Sequence, residues 1–101
     1  MSKYANRKTE FDGILFDSAK EARRWGELKL LQRAGQIQSL VRQKPYDLRV
    51  NDVLVTRYVA DFEYVEDGRT VTEDSKGFAT PAFRIKAKLF AAIHGRKILV
   101  T

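Results

Sequence analysis

The sequence predicts a mixed α+β fold of the α/β kind, in which helices flank a mixed central sheet, and three observations predict it. Two segments carry both a helix-start and a helix-stop signal. Segments rich in β-branched and aromatic residues lie before, between and after them. Each change of pattern is marked by a Gly, Asp, Asn or Pro. No repeat, linker or low-complexity stretch breaks the 101 residues, so one domain over 1–101 is expected.

Thr9 to Phe16 reads as two short extended pieces around Asp12-Gly13, a dipeptide that accepts the positive φ values of a tight hairpin turn. Ser18 then opens a helical pattern to about Arg33, with Gly35 where a left-handed cap belongs. Ala22, Trp25, Leu28 and Leu31 fall on one broad side of that helix, and Arg23, Arg24 and Glu27 mostly on the other. Ile37 to Val41 and Tyr46 to Val50 are expected as two strands parted by Gln43-Lys44-Pro45, with a turn at Asn51-Asp52. Leu54 to Val65 and Thr70 to Lys76 form a central hairpin around Glu66-Asp67-Gly68-Arg69. Thr80 caps a second helix with Pro81 at its first position; the helix runs to about His94 and Gly95 stops it. Lys97 to Val100 reads as a last strand.

Composition narrows the chemistry. Without cysteine there is no disulfide framework and no thiolate zinc site, and one histidine leaves little for imidazole ligation. Any metal must be held by carboxylates. No apolar run approaches the roughly 18 residues of a spanning helix, and Met1 to Lys8 is polar and basic, so a cytoplasmic, soluble protein is expected. A formal charge of +6 and a pI near 9.8 favour a polyanionic partner, because phosphate contacts by Lys and Arg release counterions.

A two-residue turn at Asp67-Gly68 makes paired residue numbers of the central hairpin sum to 135, which sets Asp61 opposite Asp74. Alternation then puts Val59, Asp61, Glu63, Thr72, Asp74 and Lys76 on one face and Tyr58, Phe62, Tyr64 and Val71 on the other. Opposed Cβ atoms lie about 4.5–5.5 Å apart, a distance at which like charges destabilise the sheet unless a proton or cation intervenes. Two facing aspartates suit magnesium, which often takes only one or two carboxylates beside water and phosphate. Lys76 is then placed to position or deprotonate an attacking water, or to stabilise charge developing on phosphorus. The alternative is an exposed polar face holding a Lys–Asp ion pair. A three-residue turn would instead put Glu73 and Ser75 on the face of Asp61.

Glu21 has two readings. In Ser18-Ala19-Lys20-Glu21 it completes a capping box, yet it lies between Trp25 and Leu28 on the packed side, where a carboxylate needs a partner such as a metal. The second helix carries Arg84, Lys86 and Lys88, followed by Arg96 and Lys97, against an apolar surface of Phe83, Leu89, Phe90 and Ile93. Those cations read either as a solvated face or as a cradle for a DNA backbone. His94 reads as a partner of the helix dipole rather than a catalyst, and Trp25 as core.

Tyr58-Val59-Ala60-Asp61 followed by Glu73-Asp74-Ser75-Lys76-Gly77 resembles the motif of the PD-(D/E)xK nuclease superfamily. Within it, the chain from about Phe16 to Val100 is most similar to small phage proteins related to junction-resolving enzymes of the phage endonuclease I type. The resemblance implies a restriction-endonuclease-like core and magnesium- or manganese-dependent cutting of branched DNA. It implies Glu21, Asp61, Asp74 and Lys76 as catalytic residues. Asp61, Asp74, the Ser75 backbone carbonyl and Glu21 would hold the metal, and Lys44, Arg84, Lys86 and Lys88 would meet DNA. A homodimer is implied as well, since resolving a junction needs paired cuts. Ala60 stands where the motif has proline and Asp74 where glutamate is frequent; neither departure removes a ligand. Beside an endodeoxyribonuclease stand two other readings: a non-catalytic DNA-binding or recombination accessory module on a nuclease-like fold, and a structural or regulatory phage protein.

Overall fold

A computed structural model describes residues 8–75 and 79–101. Local signals and local structure agree at both ends of the first half. Strands β1 (Thr9–Phe11) and β2 (Ile14–Phe16) form an antiparallel hairpin in which Asp12 and Gly13 both take positive φ, 56° and 75°. Helix α1 (Ala19–Arg33) begins at Ser18, whose hydroxyl accepts the Glu21 N–H, and ends through two bonds, Gly35 N–H to the Gln32 carbonyl and Gln36 N–H to the Leu31 carbonyl. That pair of bonds with Gly35 at φ 80° is the Schellman closure that a glycine beyond a helix end permits.

Strand β3 (Gln38–Val50) is one strand where the sequence pattern suggests two. Pro45 does not interrupt it, because β3 is an edge of the four-stranded sheet, ordered β3-β4-β5-β6, and an edge tolerates a missing N–H. The irregularity shows instead as left-handed backbone at Ser39 (φ 58°) and Gln43 (φ 54°) inside the strand. Asn51 and Asp52, both with positive φ, turn the chain into β4 (Val53–Glu66). Asp67 and Gly68 then turn it into β5 (Arg69–Asp74), with Glu66 paired to Arg69 and Phe62 to Glu73, the register summing to 135 that a two-residue turn requires. Helix α2 (Pro81–His94) starts at Thr80, whose hydroxyl accepts the Phe83 N–H, and stops at Gly95 in left-handed conformation. Strand β6 (Leu99–Val100) lies parallel to β5, so the sheet is mixed and the fold is mixed α+β with two helices.

The core forms in two parts along β4. Phe62 and Tyr64 join Phe16, Ala22, Trp25, Leu28 and Ile37 around α1, where the Trp25 ring stacks on Phe62 at 6.0 Å. Tyr58 and Ala60 join Tyr46, Leu48, Phe83 and Phe90 around α2. The two parts meet at Asp61, which the β3–β4 register sets against the left-handed Gln43.

Consecutive residues of β5 sort the helices onto opposite faces, since neighbours in a strand point opposite ways. Glu73 reaches Arg24 of α1. Thr72 is reached by Arg96, just past α2, and by Tyr46, whose ring packs edge-on against Phe90 of α2. Thr72, Glu73 and Asp74 are all fully buried, so the last half of β5 is covered on both sides.

Candidate acidic site at the end of the central hairpin

Asp61 and Asp74 come together because the Asp67-Gly68 turn sets the register and two adjacent strands carry the carboxyls to one level. The two side chains share a hydrogen bond. The Ser75 backbone N–H donates to Asp61 Oδ2 at 2.8 Å, and the Tyr58 hydroxyl donates to Asp74 Oδ2. Burial raises the Asp61 carboxyl to about 7, and the charges of Asp74 and Glu21 push the same way against the Ser75 bond. Two carboxylates in hydrogen-bond contact require either a shared proton or a cation, as their opposed positions predict.

Glu21 reaches this site from the first turn of α1. It is buried, and its carboxylate is approached by Gln43 Nε2 at 3.5 Å and by the Arg42 guanidinium at 3.8 Å. The Ser18 hydroxyl takes the Glu21 N–H, so residue 21 both belongs to the helix cap and carries its charge toward Asp61. Among the described residues no group of three or more His, Asp or Glu stands close enough together to hold a metal ion. The donor set is therefore the Asp61–Asp74 pair with Glu21 at a longer reach. A pair of carboxylates still fits magnesium, which keeps several waters in its shell. Ser75 presents its N–H to Asp61, whereas its carbonyl is the atom expected at a metal. Lys76 and Gly77 lie outside the described residues.

The cations expected at DNA separate. Lys86 lines a cleft with Arg57, Tyr58, Thr80 and Phe83, one residue from the acid pair through the Tyr58 hydroxyl. Arg84 and Lys88 are exposed along α2, and Lys44 is half-buried opposite Ala60. His94 packs on Phe90 and Tyr46, and burial together with the charge of Arg96 lowers its pKa.

Two groups at the buried acids depart from their sequence pattern. Periodicity assigns Arg24 to the solvent side, yet its Nε and an Nη donate to the two oxygens of Glu73 at 2.6 and 3.0 Å. The Tyr64 hydroxyl adds a third bond at 2.7 Å. The available signal is Glu73 itself, an acid on the strand face shared with Phe62 and Tyr64, where burial demands a counter-charge. Alternation places Tyr58 away from Asp74, yet the Tyr58 ring joins the α2 part of the core and its hydroxyl reaches Asp74 there. A second polar chain on the α2 side runs from Arg96 through the Thr72 and Tyr46 hydroxyls to the Glu63 carboxylate.

No helix of the described residues is long and apolar enough to cross a membrane. No curated protein and no solved structure matches the chain. A family model does match, over residues 1–99, and the chain accordingly belongs to the family described as Protein of unknown function (DUF1064).

Proposed function

We propose that the protein is a metal-dependent endodeoxyribonuclease of the PD-(D/E)xK type that hydrolyses phosphodiester bonds, with branched DNA as its substrate. The observation that carries this reading is the pair of aspartates from adjacent strands, in hydrogen-bond contact, with Glu21 of α1 contributing charge to the same point. Asp61 and Asp74 would hold magnesium or manganese, and the bound ion would polarise the phosphoryl group and acidify a water. Ser75 fixes the Asp61 carboxylate through its N–H, and Tyr58 fixes Asp74. Burial and the opposing carboxylate keep Asp61 ready to exchange a proton for a cation near neutral pH. Lys76, two positions after Asp74, would supply the side-chain nitrogen that orients the attacking water as an ammonium or deprotonates it as the neutral amine. Acting on a four-way junction calls for two such centres, hence a homodimer.

The test is incubation with labelled four-way junction, linear duplex and single-stranded DNA, with magnesium, with manganese and with chelator, beside Asp74→Ala and Lys76→Ala. The expected result is metal-dependent cutting, strongest on the junction, that both substitutions abolish. Salt-sensitive binding without cutting by the wild type would replace this reading with a non-catalytic DNA-binding module.

A further inference from the structure

We propose that the groove between the start of α1 and the end of β5, bordered by Lys20, Arg23, Ser75 and Thr101, binds the sugar–phosphate backbone of DNA beside the bond to be cut; this inference rests on the nuclease reading. The groove has a volume of about 350 Å³ and is otherwise lined by Arg24 and Glu27. Its charge has a definite sign. Arg24 is matched by the buried Glu73, so Glu27, 3.8 Å from it, is set against Lys20 and Arg23. Lys20 and Arg23, both exposed, outweigh that one acid, and their i, i+3 spacing puts them on one side of the helix about 5–6 Å apart at Cβ. The positive end of the α1 dipole adds to the same sign.

The lining also selects the part of the polymer it meets. Among the described residues no aromatic ring borders the groove, which leaves ammonium, guanidinium and hydroxyl donors beside the Glu27 carboxylate. Phosphate oxygens accept from such groups, whereas bases are held by stacking or by groove-edge readout. Binding there is to the backbone and indifferent to sequence. Ser75 joins the groove to the chemistry: its hydroxyl lies 3.3 Å from that of Thr101, while its backbone N–H holds Asp61. A strand lying in the groove thus passes within one residue of the acid pair. The path follows α1, whereas the sequence pattern points to the cations of α2.

The experiment measures equilibrium binding of labelled duplex DNA to the full chain over a salt series, in chelator so that nothing is cut. Wild type is compared with Lys20→Gln/Arg23→Gln and with Arg69→Gln, a substitution at the far end of β5. All three preparations are matched by circular dichroism and melting. The double variant is expected to flatten the slope of log K against log salt by about 1.8, roughly 0.9 for each phosphate that is no longer neutralised, while Arg69→Gln keeps the wild-type slope. Wild-type slope and affinity in the double variant overturn the groove. So does a flattening of about 0.9 in Arg69→Gln, half that of the double variant for half the charge removed, which would report net charge alone. Cleavage by the same wild-type preparation in magnesium judges the nuclease reading separately: a wild type that binds and never cuts overturns that reading, and the slopes still decide the groove. A wild type that binds no DNA overturns both.

Discussion

Replacing Arg24 with methionine removes the counter-charge of a fully buried carboxylate while retaining most of the side chain's volume. Glu73 has no exposed side-chain surface, and Arg24 keeps about a quarter of its own, 0% against 25%. The Tyr64 hydroxyl still donates to Glu73 in the variant, as does the Thr101 hydroxyl at 3.4 Å, but neither carries a positive charge. Breaking one side of a buried pair costs about 3–5 kcal/mol, and the partial exposure of Arg24 places this case near the lower figure. With a urea m-value of about 1.5 kcal/mol/M, the unfolding midpoint should fall by about 2 M. The double variant Arg24→Met/Glu73→Gln leaves no uncompensated charge, so it should lose less than the single variant, with a coupling of about 2 kcal/mol. Urea unfolding followed by Trp25 fluorescence measures both. A loss below about 1 kcal/mol in the single variant, or a double variant that loses the sum of the two single losses, would refute the view that this pair docks α1 onto β5.

Three further outcomes are expected. Because the folded Asp61 holds its proton to about 7 and the unfolded carboxyl only to 3.8, the folded state binds more protons between those values. Its contribution to stability therefore falls as pH rises from about 4 to about 7, and Asp61→Asn should remove that decline in metal-free urea titrations; an unchanged pH profile in the variant contradicts the assignment. Tyr58→Phe keeps the ring against Phe83 and Phe90 but deletes the donor to the buried Asp74, which should cost about 1.5–3 kcal/mol by thermal or urea unfolding, and a neutral result would show that Asp74 does not depend on it. Gly68→Ala forces a side chain into φ 76° at the turn that sets the Asp61–Asp74 register, so a loss of about 1–2 kcal/mol is expected by the same measurement. No loss would mean that the turn relaxes into another type.

Much of the candidate site is legible in the sequence because its geometry follows from a local rule. Asp67-Gly68 selects a two-residue turn, the turn selects an even register, and the register places Asp61 and Asp74 together without reference to the rest of the chain. Glu21 is legible from helical periodicity, which sets it among Ala22, Trp25 and Leu28, the residues that are indeed buried with it. Arg24 and Tyr58 are not legible. Periodicity puts Arg24 mostly on the side away from the apolar residues, and only contact with β5 shows that its guanidinium turns inward to Glu73. Tyr58 packs on the α2 side with Asp74 although Phe62 and Tyr64 of the same strand pack on the α1 side, a change along β4 that no motif announces.

The chain by itself determined the elements and their ends: Ser18 and Thr80 as caps, Gly35 and Gly95 as stops, Asp12-Gly13, Asn51-Asp52 and Asp67-Gly68 as turns. Those are interactions between residues a few positions apart, whose energies do not depend on the fold. Tertiary structure alone decided that β3 runs unbroken through Pro45 at a sheet edge, that β6 docks parallel to β5, and that the last half of β5 is buried on both faces. It also decided that Lys20 and Arg23 border a groove reaching Ser75. Each of these joins segments far apart in sequence, and the burial that makes Glu73 need Arg24 exists only once both helices have closed on the sheet.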